Sequence, residues 1–87
     1  MTRNQEMAIK LLQIINQDDD AIVEYSSERD SMNFWVRLNG KLVNIYIYNH
    51  HSDILAAQSY QKMLDALNES RNMTAEERDT KSTEEIF

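Results

Sequence analysis

Along the first twenty residues apolar positions recur at helical spacing. Ala8, Leu11, Leu12 and Ile15 form a stripe that Met7 and Ile14 widen, while Glu6, Lys10, Gln13 and Gln17 fall on the opposite side. Thr2 followed three residues later by Gln5 has the form of a capping box, hydroxyl and amide each taking one orphan amide of a first helical turn. The pattern predicts a helix over residues 3–17 with one buried face. It should end at Asn16–Asp20, where three consecutive aspartates are poor helix formers that repel one another. From Ala21 to Ser26 the period changes: Ile22, Val23 and Tyr25 predict a first strand, and the polar run from Ser26 to Ser31 predicts the turn that closes it.

Asn39-Gly40 is the strongest short signal in the chain, because both residues tolerate the positive φ that a two-residue type I′ hairpin turn requires. With Leu38 facing Lys41 across that turn, Val36 faces Val43, Phe34 faces Ile45 and Met32 faces Ile47, all on one side of the sheet. The same register sends Asn33, Trp35 and Arg37 to the reverse side with Leu42, Asn44, Tyr46 and Tyr48. One side is therefore almost wholly apolar and the other is mixed but aromatic. Ser52 and Asp53 then open a second helix, whose apolar face is Ala56, Tyr60, Met63, Leu64 and Leu67 and which runs to about Arg71. Thr74 and Glu77 form another capping box, predicting a short third helix from Ala75 to about Lys81.

The expected fold is one α+β domain of order α-β-β-β-α: a three-stranded antiparallel sheet with both long helices on one face and a short helix at the C-terminal end. An 87-residue chain leaves no material for a second domain. Without cysteine it has no disulfide framework, thiolate metal site or thiol nucleophile, which points to a reducing, cytoplasmic setting. A lone glycine, Gly40, and no proline exclude a glycine-rich phosphate loop, a dinucleotide fingerprint and a nucleophile elbow. No cofactor and no enzymatic activity are expected. His50, His51 and Asp53 have metal-ligand residue types, but adjacent side chains at a strand-to-helix junction diverge, and the ordinary reading is a helix entry, with no metal.

The net charge of −6 opposes attraction to nucleic acid or anionic lipid and favours a basic protein partner. The acid is unevenly placed. Asp18, Asp19, Asp20, Glu24, Glu28 and Asp30 stand against Arg29 alone, and a second block lies in residues 72–87, leaving the rest of the chain net positive. Such blocks either imitate the spacing of phosphates and enter a basic groove or simply keep a small protein soluble. The aromatic reverse face, with Trp35, Arg37, Tyr46 and Tyr48, carries the residue types that dominate interface hot spots. Its alternative is cover by the terminal segment with Ile86 and Phe87.

Short length, acidic blocks, absence of cysteine and the α-β-β-β-α order with an extra short helix together resemble the small acidic inhibitor proteins made by phages, including anti-CRISPR proteins. The resemblance lies in architecture and composition along the whole chain, not in a motif, and it carries over no residue roles. It implies stoichiometric inhibition of a nucleic-acid-binding host defence complex by occupation of its substrate groove. Here the partner-binding residues would be the six carboxylates of the first acidic block with Trp35, Arg37, Tyr46 and Tyr48. The alternatives are an adaptor or regulatory subunit using the same aromatic face, and a homodimer in which two such faces pair.

Overall fold

The computed structural model describes residues 1–73, and the short helix expected from Ala75 to Lys81 lies outside them. The order is α1 (Arg3–Ile14), β1 (Ala21–Ser26), β2 (Ser31–Leu38), β3 (Lys41–Ile47) and α2 (Asp53–Arg71), with the strands arranged β1-β2-β3 and both pairings antiparallel. The α+β class and the element order are those the periodicity predicts. The hairpin register is also the expected one, from Leu38↔Lys41 to Met32↔Ile47, and Asn39 and Gly40 both take positive φ, at 52° and 75°. Gly40, having no Cβ, takes this left-handed conformation without the steric cost that other residues meet there.

The core lies between the sheet and the two helices. Met32, Phe34 and Val36 of β2 and Ile47 of β3 are buried against Ala8 and Leu11 of α1 and Ala56, Met63, Ala66 and Leu67 of α2. Every one of these strand residues comes from the same side of the sheet, so both helices cover one face, α1 over β1 and β2 and α2 over β2 and β3. No described helix is long and apolar enough to cross a membrane.

The helical stripe of α1 departs from expectation in two ways. The helix stops at Ile14, short of residue 17, because the following turn supplies competing partners. The Asn16 N–H donates to Asp19 Oδ2 at 2.8 Å and the Asp19 N–H to the Asn16 carbonyl at 3.1 Å. Leu12, assigned to the buried stripe, is 55% exposed, and Ile14 is also exposed. The stripe that meets the sheet is Asn4, Ala8 and Leu11 with Ile15, and Leu12 sits one helical step round from it.

The two helices run in the same direction, and one arginine ties them at each end. At the N-terminal end Arg3 donates from Nη1 to Asp53 Oδ1 (2.9 Å) and the His51 carbonyl (2.7 Å), and from Nη2 to the Tyr48 carbonyl (3.1 Å). At the C-terminal end Arg71 forks onto Asp19, Nε to Oδ1 at 2.9 Å and Nη2 to Oδ2 at 2.8 Å, and takes the otherwise orphaned Ile14 carbonyl at 2.8 Å. Parallel helices place like dipole ends together. Asp53 in the first turn and Arg71 in the last offset that charge.

A third tie closes the turn between β1 and β2. Asp30, at φ 47°, accepts on Oδ1 from Thr2 Oγ1 (2.6 Å) and from the Tyr25 hydroxyl (2.7 Å), and its carbonyl accepts from the buried Asn4 side chain at 2.7 Å. Asn4 Oδ1 in turn accepts from Arg3 Nε at 2.9 Å. The N-cap of α1, the turn of the first hairpin and the entry to α2 are thus one polar network.

Candidate functional site

The reverse side of the sheet carries no helix among the described residues. The two registers lay out its side chains in rows across β1, β2 and β3: Ile22, Trp35 and Asn44 in one row, Glu24, Asn33 and Tyr46 in the next, with Arg37 and Leu42 toward the Asn39-Gly40 turn. Trp35 stands at the centre and is half-buried by its neighbours. Around it Ile22 is 55% exposed, Leu42 60%, Tyr46 44% and Tyr48, just beyond β3, 39%. Single exposed apolar side chains are ordinary on a protein surface, but a group of large ones side by side on one face is not.

Tyr46 and Tyr48, two residues apart and on the same side, stack with ring centroids 4.7 Å apart. His51 and His50 continue the aromatic group, their rings 5.4 and 5.7 Å from Tyr48. His51 Nδ1 accepts from the Tyr48 N–H at 3.1 Å while its own N–H reaches the Tyr48 carbonyl, so the pair forms a tight turn that fixes where the aromatic strip ends. Asp53 points the other way, to Arg3. No three His, Cys, Asp or Glu side chains converge among the described residues, and those residues enclose no cleft.

The first acidic block does not form one surface. Asp18, Asp19 and Asp20 lie between α1 and β1, Glu24 lies midway along β1 on the open face, and Glu28 and Asp30 lie in the turn at the far end. Three of the six carboxylates are engaged within the molecule. Asp19, its side chain only 7% exposed, is held by Arg71; Asp20 lies 3.1 Å from Arg37 Nε; and Asp30 is held by Thr2 and Tyr25. The hydrogen bonds from Thr2 and Tyr25 hold the Asp30 carboxyl below its ordinary range, and the bond to Asp30 pushes the Tyr25 hydroxyl above its own. Contact with Asp19 raises Arg71 further. Asp18, Glu24 and Glu28 remain exposed, and of these only Glu24 is placed on the open face by the strand register.

The structure therefore brings Trp35, Arg37, Tyr46 and Tyr48 together on one face, with Leu42 beside them as the register expects, and adds Ile22. Ile22 follows only once the β1–β2 pairing sets it opposite Trp35, and no turn signal comparable to Asn-Gly specifies that pairing. Protein-family models, curated proteins and solved structures were all compared with the chain, and none matches it.

Proposed function

We propose that this chain is a non-catalytic binding protein of a reducing compartment such as the cytoplasm, docking a basic partner protein on the helix-free face of its sheet. The observation that carries the reading is Trp35 at the middle of the face with exposed Ile22, Leu42 and Tyr46 about it and Tyr48 stacked on Tyr46 beyond. Aromatic anchors at the middle of a patch, bordered by groups that exclude water, are how binding energy is concentrated in protein interfaces. Glu24 on that face, the exposed Asp18 and Glu28 at the two ends of β1 and the net charge of −6 favour a basic partner and would speed its approach. Where that basic surface is the nucleic-acid groove of a defence complex, docking excludes the substrate, and the protein acts as a stoichiometric inhibitor.

Affinity capture from lysate of the native host, with the wild-type chain and the Trp35→Ala variant side by side, tests this. The expected result is one basic protein retained by the wild type, weakened by about 2 kcal/mol or more in the variant and released by salt or by its nucleic acid. Equal retention by a folded Trp35→Ala variant would remove the face from the interaction. Release by salt with no competition from nucleic acid would favour the adaptor role over the inhibitor.

A further inference from the structure

The outer edge of β3 is self-complementary, and we propose that two copies of the chain pair along it, antiparallel about a two-fold axis at Asn44, to make one continuous six-stranded sheet. The inference rests on the backbone and not on the partner-binding reading above.

The direction of each backbone group follows from the ladder. The Arg37 N–H points to β1, where it donates to the Asp20 carbonyl at 3.1 Å. Arg37 is therefore not hydrogen-bonded to Leu42 opposite it, and the bonded pairs of the β2–β3 hairpin are Leu38–Lys41, Val36–Val43, Phe34–Ile45 and Met32–Ile47. The N–H and C=O groups of Leu42, Asn44 and Tyr46 consequently point away from the sheet, and they meet no partner among the described residues. The free edge ends at Tyr48, whose N–H is taken by His51 and whose carbonyl is taken by Arg3.

Three outward residues centred on Asn44 define one two-fold register. Asn44 pairs with Asn44 of the second copy and Leu42 with Tyr46 of the second copy. That arrangement matches every outward donor with an outward acceptor and sets an aliphatic side chain against an aromatic one on the open face. The only charged side chain on β3, Lys41, then falls opposite Ile47 of the second copy, so no like charges meet. The opposite edge of the sheet is unsuited to this. Pairing β1 about Val23 would place two copies of Glu24 on one diagonal, a like-charge alignment of the kind that protects strand edges. Edge pairing leaves Trp35 uncovered and joins the two helix-free faces into one surface of twice the width.

Light scattering of the full chain tests the pairing, with a mass of twice 10.3 kDa expected for the wild type. Leu42→Lys/Tyr46→Lys should give the monomer mass with unchanged circular dichroism, because lysines would then oppose each other across the axis. Leu42→Lys/Tyr46→Glu should restore the dimer, because each introduced lysine faces an introduced glutamate. Trp35→Ala should remain dimeric, which separates this contact from face-to-face pairing and from partner binding. A monomeric wild type, a dimer that survives the double lysine variant, or one that the lysine–glutamate variant fails to restore would each overturn the proposal.

Discussion

The two faces of the sheet are built from the same three strands by alternate residues, yet they differ in every physical respect that decides their role. On the covered face Met32, Phe34, Val36 and Ile47 are buried under helices. On the other face Ile22, Leu42, Tyr46 and Tyr48 present comparable apolar bulk to solvent. Burial of a large apolar side chain stabilises by about 1.5–3 kcal/mol, and only the covered face gains it in full. Burial under the helices accounts for the apolar residues of one face and not for those of the other. The comparison breaks most sharply on Phe34 and Trp35, neighbours in sequence on opposite sides. Phe34→Ala should cost about 3–5 kcal/mol of folding stability, read from the urea midpoint, and Trp35→Ala less than half as much. Equal costs would make the open face a second core.

The covered face also depends on polar closure at its ends. Asn4 is buried and bonds both Asp30 and Arg3. Asn4→Leu should therefore destabilise by about 1–3 kcal/mol, the cost of leaving buried polar groups unsatisfied, despite placing a good helix former in α1. At the far end Arg71→Lys keeps the charge but not the fork onto Asp19, and it should lower the melting temperature measurably and by less than Asn4→Leu. Amide exchange should show the protection lost first around Ile14 to Asp19. A loss spread evenly over the molecule would mean that the two helix ends are not closed separately.

What could be read from the chain divides along the same line. Strand positions and the β2–β3 register were legible because Asn39-Gly40 pins a two-residue turn and side-chain direction then alternates without exception. The start of each helix was legible from Thr2 and Ser52, whose side chains do accept the expected amides of Gln5 and Leu55. The end of α1 was not, because Asp19 closes the turn in concert with Arg71, 52 residues away in sequence. Leu12 reads as core by hydrophobicity alone, and only the placement of α1 over β1 and β2 decides which apolar flank is left in water. The acidic block read as one surface because its members are adjacent in sequence. In three dimensions β1 separates Asp18, Asp19 and Asp20 from Glu28 and Asp30, and long-range partners claim part of the charge.

The smallest expected effect concerns the network that closes the covered face at the β1–β2 turn. Asp30 is held below its ordinary range by Thr2 first and Tyr25 second, so the folded state binds its proton less readily than the unfolded chain. Its contribution is therefore present above the ordinary Asp value of about 3.9 and is lost as pH falls through the lower folded value. Tyr25 is raised by the same bond, so its contribution is present below the ordinary Tyr value of about 10 and is lost as pH rises through the higher folded one. Asp30→Asn keeps the turn's side-chain length but removes the titrating group. The gap in stability between wild type and this variant should be widest at neutral pH and narrow toward both extremes, measured by urea unfolding across pH. A gap that stays constant into acid would show that the carboxylate's charge contributes nothing to closing this end of the core.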